Sequence, residues 1–324
     1  MTREAVRAER MRERSMVPKA QPQSYYGQPV LKEPVWTPEI PFYFYTGGLA
    51  GTSATLALLA ELRGNKALAR RAWLVALAGV SASPALLISD LGKPSRFLNM
   101  LRMFKVTSPM SVGSWILSGS GTFTALAVAS EFTGLVPALG RTAKVASAIL
   151  GLPLSTYTAG LVANTSVPVW HDARFTLPLV FAGSSAASAG AAATAFTPLR
   201  DAGPARRLAV GGAVASVGAA FAMEKKLGEI GEPYSKGVSG KITRLAGGLS
   251  VAGAALMATR GGRSRGVAIA ASAVLTAGVL AERWAVFRAG FQSASDPKFT
   301  VGPQRARIDR GETRGASRRA QAGA

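Results

Sequence analysis

The stretch FTLPLVFAGSSAASAGAAATAFT, residues 175–197, contains no charged residue and is long enough to cross a bilayer core as one helix. Seven more stretches of similar character are spread along the 324 residues. The eight predicted spans cover residues 42–62, 70–91, 111–132, 142–163, 175–197, 206–227, 244–259 and 266–288. Their many Gly and Ala residues suit close packing between helices in lipid. The sequence therefore predicts an all-α polytopic membrane protein, with a bundle of eight transmembrane helices over residues 42–289.

The charged residues lie mostly outside these spans. The net charge is +21, and nearly all of the 38 Lys and Arg residues lie in the two tails and in the loops. Because flanking charge of this kind meets lipid head groups, we expect anionic lipids as partners and no nucleic acid. Residues 1–41 are a basic tail followed by a strap rich in Pro and aromatic residues, and residues 290–324 are a basic tail that we expect to be extended.

The chain has no cysteine and a single histidine. Haem in a helix bundle takes axial ligands that are most often His, and iron–sulfur clusters take several thiolates. The sequence therefore excludes haem and clusters with their usual ligands, and no metal site is expected in this chain. Any electron carrier must be a freely bound molecule or must lie on a partner.

The orientation in the membrane follows from the helix count and the positive charges. Eight helices place both termini on the same side of the membrane. The loops of the two sides carry nearly equal numbers of Lys and Arg, whereas the tails add many more on the terminal side. Since positive charge favours the cytoplasmic side, we expect both termini in the cytoplasm.

The most unusual stretch is SDLGKPSRFLNMLRMFKVTSPMSVG, residues 89–113. Its basic residues alternate with apolar ones at helical spacing, which predicts a surface amphipathic helix between the second and third spans. An acid at the edge of the hydrocarbon is costly unless it is paired, so Asp90 is a candidate proton acceptor, with Lys93 or Arg96 tuning its pKa. The alternative is a basic loop that holds lipid phosphates.

Two further groups of polar residues are candidates for a binding site. Tyr157 lies inside the fourth span, where it either packs with its hydroxyl on a backbone carbonyl or donates to a ligand carbonyl. Asn164 and His171 follow in a short connection. His171 is the only histidine of the chain, and it is either a surface residue or a proton relay. Glu282 and Arg283 lie near the end of the last span, and each needs a partner of its own because adjacent helical residues point about 100° apart.

Several of these stretches together resemble the NrfD family, the membrane subunits of polysulfide-reductase-like molybdoenzymes. The resemblance is carried by YYGQPVLKEPVW, PFYFYTGGLAGTSA, the stretch over residues 89–113, STYTAGLVANTSVPVW and ERWAVFRAGFQSASDPKFTVGPQR. It extends over about residues 25–310. The stretch over 89–113 is the most specific of these, because an acid, a glycine, a proline, Arg-Phe and Ser-Pro-Met follow one another there in a fixed order.

The resemblance implies a multi-pass subunit of a prokaryotic cell membrane that binds menaquinone or ubiquinone without a covalent bond. A four-cluster iron–sulfur subunit would dock on one face and exchange electrons with a molybdopterin catalytic subunit, in a respiratory chain. By itself this chain would have no activity. The strap and the residues after 290 would hold the iron–sulfur partner.

The resemblance also implies roles for single residues. Asp90 and Arg96 match the family's acid and arginine after the second helix, Tyr157 matches a tyrosine at the position of a quinone-carbonyl donor, and Arg283 matches an arginine of the last helix. Some members place a His and an Asn on the first helix, where this chain offers Tyr45 among other residues of the first turns. Asn164 or His171 are candidate substitutes for the second hydrogen bond, and Lys93 completes the predicted site.

Two other classes of function remain open from the residues alone. A proton-translocating module or a transporter could use Asp90, Glu282 and Arg283 to line an ion path, although no clear repeat relates the two halves of the chain. A purely structural anchor would need no ligand.

Overall fold

The computed structural model describes residues 29–311, and all regular secondary structure in this part is helical. Its eight long helices are α1 (Glu39–Leu62), α2 (Lys66–Asp90), α3 (Pro109–Thr133), α4 (Pro137–Ala163), α5 (Leu177–Phe196), α6 (Gly203–Leu227), α7 (Gly237–Thr259) and α8 (Arg265–Ser295). A shorter helix, α9 (Lys298–Asp309), follows. Short helical turns at Pro168–Asp172, Gly228–Gly231 and Glu232–Ser235 connect the long helices.

Seven of the long helices in the described part are long and apolar enough to cross a membrane, namely α2 to α8. The polytopic membrane protein predicted from the sequence is confirmed to that extent. Helix α1 is not among the seven, and its sequence contains Tyr, Thr, Ser and Gly residues that lower its mean hydropathy. It packs against α2, α4, α5 and α8, so its polar side chains face neighbouring helices. The eighth span therefore remains a prediction.

All of the long helices except α5 begin earlier than hydropathy alone predicts. Helices α3 and α4 each start at a proline, Pro109 and Pro137, because the first turn of a helix needs no N–H donor from its first residue. The span predicted over residues 244–259 begins at Gly237 as α7, which includes Lys241 and Arg244. A hydropathy pattern ends at the first charged residues, whereas a helix continues through them into the membrane surface.

The long helices approach one another closely at small residues. A Cβ on Gly51 of α1 would lie 2.3 Å from the carbonyl oxygen of Gly151 in α4, and a Cβ on Gly151 would lie equally close to the Gly51 oxygen. Similar approaches join α5 to α6, where a Cβ on Gly183 would lie 2.5 Å from the backbone nitrogen of Ser216. Small residues permit such backbone contacts, which drive helix association in lipid.

The connections at one end of the bundle are long. Helices α2, α4, α6 and α8 finish there, and residues 91–108, 164–176 and 228–236 link neighbouring helices. Residues 29–38, which we call the strap, and α9 lie at the same end, which we call the terminal end. The sequence predicts an extended strap over residues 21–41. Residues 29–38 have no helix, residues 39–41 belong to α1, and residues 21–28 lie outside the described part.

Two predictions for the terminal end differ from the structure. The segment after Gly290 is helical as far as Asp309 and not extended, because α8 continues to Ser295 and α9 follows it. Glu232 bonds the ammonium of Lys298 in α9 and holds the pKa of Lys298 above its usual value. The surface helix between α2 and α3 is a 3-10 helix, Pro94–Leu101, and none of its residues is buried. Its place at a lipid surface remains a prediction.

Charged residues at the opposite end join the helices. The Nζ of Lys144 in α4 lies 2.7 Å from a carboxylate oxygen of Glu61 in α1 and of Glu131 in α3, and Glu131 also pairs with Arg70. Arg265 at the start of α8 donates to the carbonyls of Thr194 and Ala195 in the last turn of α5 and of Thr197, which follows it. These carbonyls have no partner within their own helix, so the guanidinium caps α5.

Candidate functional site

The strap is attached to the terminal end by hydrogen bonds and by ring stacking. The backbone N–H and the hydroxyl of Thr37 both donate to Oδ1 of Asp90, at 2.9 and 2.5 Å. The neighbouring Trp36 stacks on Trp170 with ring centroids 5.5 Å apart. Trp170 is fully buried and donates through Nε1 to the carbonyl of Val286. The strap therefore bridges the end of α2, the turn after α4 and the last part of α8.

Beneath the strap lies a small cleft, which we call the Asp90–Tyr157 cleft. Its volume is about 50 Å³, and its polar lining residues are Asp90, Tyr157, Tyr43 and Ser114. Its apolar lining includes Trp36, Met100 and Met110. The structure thus brings together Asp90 and Tyr157, two residues predicted from the sequence as parts of one site although they are far apart in the chain.

The position of the Tyr157 ring depends on a glycine that the sequence analysis did not single out. A Cβ on Gly113 of α3 would lie 2.1 Å from a ring carbon of Tyr157, so a larger residue cannot occupy this position without moving the ring. The signal for it is present in the quoted stretch over residues 89–113, which ends at Gly113. Gly113 is therefore a positioning residue for the cleft.

Other residues predicted for the site lie elsewhere. Arg96 is exposed on the 3-10 helix, and both Asn164 and His171 are exposed in the connection after α4. Lys93 precedes the 3-10 helix and is partly buried. None of these four side chains lines the Asp90–Tyr157 cleft.

Tyr45 and Arg283 occupy the interior of the bundle, away from the cleft. Tyr45 is partly buried and packs against a cluster of apolar residues contributed by α5, α6, α7 and α8. Arg283 is 1 % exposed and donates through Nη2 to the carbonyl of Phe181 and the hydroxyl of Ser185, both at 3.2 Å. Its guanidinium carbon lies 3.5 Å from the centre of the Phe181 ring, which gives a cation–π contact. The Nε and Nη1 groups have no hydrogen-bond partner within residues 29–311.

A larger cavity, which we call the Glu282 cavity, lies among α5, α6, α7 and α8 near the terminal end. Its volume is about 420 Å³. Apolar residues form most of its wall, and its acidic and phenolic lining residues are Glu224, Tyr234 and Glu282. The sequence analysis did not find Tyr234, because it lies in a short helical turn between two spans and belongs to no periodic pattern.

Within residues 29–311 no group of three or more His, Cys, Asp or Glu side chains could hold a metal ion. The polar side chains that line the two spaces are mainly carboxyls and hydroxyls, with the guanidinium of Arg244 in the larger one. They can donate and accept hydrogen bonds and exchange protons, which suits an organic ligand with oxygen atoms.

A comparison with protein families decides where this arrangement belongs. Residues 28–223 match the family described as "Polysulphide reductase, NrfD". The chain belongs to the NrfD family. NrfD-family proteins are membrane subunits of redox complexes, and the resemblance seen in the sequence is confirmed. No curated protein matches this chain.

The family match reaches from the strap through most of α6. It includes Asp90, Gly113 and Tyr157 and hence most of the Asp90–Tyr157 cleft. The match ends before Tyr234, Glu282 and Arg283, so these three residues lie outside the matched part of this chain. The Glu282 cavity is thus built largely from residues that the match does not cover.

Proposed function

We propose that this NrfD-family chain is the quinone-binding membrane anchor of a molybdopterin oxidoreductase complex. The observation that carries the proposal is the meeting of Asp90 and Tyr157 in one cleft at the terminal end, under a strap attached to the same carboxylate. Quinone carries electrons through the lipid phase between redox complexes. The residues of this chain bind the ring, orient it and hold a proton near it.

The side chains that line the Asp90–Tyr157 cleft suit a quinone, whereas the space in it has room only for water. The Tyr157 hydroxyl is a donor for a ring carbonyl, and Asp90 is a proton acceptor beside it. A volume of about 50 Å³ lies far below the ~300–1,000 Å³ of usual ligand pockets. Met100 and Met110 line the cleft, and their unbranched side chains change rotamer more readily than branched ones. Binding of the ring therefore requires these side chains to move outward.

The exposed surface of the terminal end suits a protein partner. The segment over residues 93–105 combines basic residues with exposed apolar ones, including Leu98, Met103 and Phe104. We propose that the four-cluster iron–sulfur subunit docks here and against α9, and that it passes electrons to or from the molybdopterin subunit. Arg96, exposed on the 3-10 helix, would then contact the partner and not the quinone.

Substitution of two partly buried tyrosines tests the assignment of the cleft. Tyr157→Phe removes the proposed donor, and Tyr45→Phe removes a hydroxyl outside the cleft as a matched control. In membranes that contain the complex, we expect quinol-dependent turnover to fall by about tenfold to a hundredfold in Tyr157→Phe, because a hydrogen bond to the ligand is lost. Tyr45→Phe should keep the wild-type rate. Wild-type turnover and inhibitor affinity in Tyr157→Phe would refute the assignment.

The orientation in the membrane can be measured directly, because the chain has no cysteine of its own. Ser95→Cys places a thiol at the terminal end, and Ser264→Cys places one at the opposite end. Both serines are exposed. We propose that the terminal end faces the cytoplasm. In intact cells a membrane-impermeant maleimide should then label Ser264→Cys and not Ser95→Cys, and the reverse pattern would contradict the orientation.

A further inference from the structure

The Glu282 cavity has the size and the opening of a binding site for a molecule that arrives from the lipid. Its volume of about 420 Å³ lies in the range of small-molecule sites. Phe221 on α6 is 71 % exposed and lines the cavity, as does Arg244, which is exposed on α7. The cavity therefore opens between α6 and α7 on the outer surface of the bundle, and we expect this surface to face lipid because both helices are predicted spans.

The inner part of the cavity carries polar atoms without partners. The Tyr234 residue is 2 % exposed, and its hydroxyl makes no hydrogen bond within residues 29–311. Oε1 of Glu282 likewise makes none in the described part of the chain. A buried polar atom without a partner costs about 1–3 kcal/mol, so a ligand with oxygen atoms would be stabilised here by donors and acceptors already in place.

The hydroxyl of Ser216 holds one oxygen of the Glu282 carboxyl in place. Oγ of Ser216 lies 2.5 Å from Oε2 of Glu282 and 3.2 Å from the carbonyl oxygen of Val180. A hydroxyl has one proton, which cannot fully serve two acceptors. The shorter distance indicates that Ser216 donates to Oε2 of Glu282, while Oε1 has no partner in the described part of the chain. Burial behind a mostly apolar wall penalises a charge, so the cavity suits an uncharged ligand.

We propose that the Glu282 cavity binds an uncharged, lipid-soluble ring that carries carbonyl or hydroxyl oxygens, through Tyr234 and Glu282. The choice of a quinone or quinol as this ring rests on the proposed function. The site is separate from the Asp90–Tyr157 cleft: that cleft is lined by the strap, α1 to α4 and the segment after α2, whereas the cavity is lined by α5 to α8 and the turn that contains Tyr234. The two spaces share no lining residue.

A glycine in the wall of the cavity allows it to be filled without disturbing the backbone. Gly247 lines the cavity, and a Cβ built on it meets no atom within 4 Å. Gly248 is its neighbour on α7, has the same free space and does not line the cavity. Gly247→Leu therefore fills the binding space, and Gly248→Leu is the matched control for the same change of residue in the same helix.

The test uses a ubiquinone analogue with a photoreactive azido group, irradiated in membranes that contain the complex. Peptides of this chain are then examined for the attached label by mass spectrometry. We expect label on α6, α7 or α8 in the wild type and about tenfold less in Gly247→Leu, since ~1.4 kcal/mol of lost contact reduces affinity tenfold. Gly248→Leu should be labelled like the wild type. Glu282→Gln and Tyr234→Phe should each weaken labelling of the cavity and leave labelling at Tyr157 unchanged.

The possible outcomes separate this inference from the proposed function. Label confined to the segments around Asp90 and Tyr157 would overturn the second site and leave the proposed function in place. Label confined to α6, α7 and α8 would support the cavity and contradict the role assigned to the cleft. Label at neither place would contradict both. Loss of cavity label on adding phospholipid, with no loss on adding unlabelled quinone, would assign the cavity to a lipid chain and overturn the ring proposal.

Discussion

Thr37 donates two hydrogen bonds to a single oxygen of Asp90, through its backbone N–H at 2.9 Å and its hydroxyl at 2.5 Å. One carboxylate therefore attaches the strap to the end of α2 and also lines the cleft that contains Tyr157. Because Asp90 both holds the strap and lines the cleft, its loss affects the strap and the proposed quinone site together. Changes at Thr37 separate the two effects, since they leave the carboxylate in the cleft.

We expect Thr37→Val to loosen the strap. The change removes the hydroxyl bond and keeps the backbone bond, and a hydrogen bond to a charged group contributes about 1.5–3 kcal/mol. Hydrogen exchange of the amides over residues 29–38 should become about tenfold faster or more. Thr259→Val is the control, because the Thr259 hydroxyl is exposed and donates to the carbonyl of Ala255 in its own helix, α7. Unchanged exchange in the strap would show that Thr37 does not hold it.

The contact between α1 and α4 should tolerate no side chain at Gly151. A Cβ there would lie 2.3 Å from the carbonyl oxygen of Gly51, so Gly151→Ala must separate the helices. We expect a loss of about 2–4 kcal/mol in the free energy of unfolding, as for overpacking of a tight interior. Gly160→Ala in the same helix meets no atom within 4 Å and should be neutral or stabilising. Thermal unfolding in detergent measures both, and equal stability of the two variants would contradict the close approach.

The charge of Arg283 should contribute little to stability. Two of its nitrogen groups have no hydrogen-bond partner in the described part of the chain, and burial of such a charge is costly. We expect Arg283→Met, which keeps most of the volume, to change the free energy of unfolding by about 1 kcal/mol or less. Arg283→Ala should cost about 2–5 kcal/mol because it leaves a cavity beside Phe181. If methionine and alanine destabilise alike, the guanidinium itself holds the helices together.

Lys144 should matter more than Arg70, although both pair with Glu131. The Lys144 side chain is 9 % exposed and lies between two carboxylates, whereas the Arg70 side chain is 57 % exposed. We expect Lys144→Met to cost about 3 kcal/mol, since it leaves Glu61 and Glu131 facing each other in a partly buried place. Arg70→Met should cost less than about 1 kcal/mol. Chemical denaturation in mixed micelles compares the two, and addition of Glu61→Gln to Lys144→Met should recover part of the loss.

The sequence located most of the spans, whereas the contacts between side chains of different helices required the structure. Apolar length locates helices because lipid offers no partner for a free backbone group, and seven of the described helices satisfy that test. The resemblance to the NrfD family implied that Asp90 and Tyr157 belong together, and the structure places both in one cleft. It also implied a site role for Arg96, which is exposed outside that cleft.

The features that the sequence analysis missed all depend on packing between parts of the chain that are distant in sequence. Tyr234 lies in a turn, and its depth comes from α6, α7 and α8 closing around it. Gly113 is one of many glycines, and only the ring of Tyr157 distinguishes it. The extended tail after Gly290 was predicted from its polarity, whereas α8 continues there and Gly290 lies against the Trp170 ring.

The sequence by itself determined that this is a helical membrane protein of the NrfD family, without thiols to hold a cluster and with polar residues gathered toward the ends of its spans. The helical membrane character and the lack of thiols follow from the composition and from the length of each apolar run, both of which can be read directly from the linear sequence. Only the tertiary structure decided which polar side chains meet. The cleft at Asp90 and the cavity at Glu282 each form where helices distant in sequence come together, and a linear pattern does not record which faces those helices turn to one another.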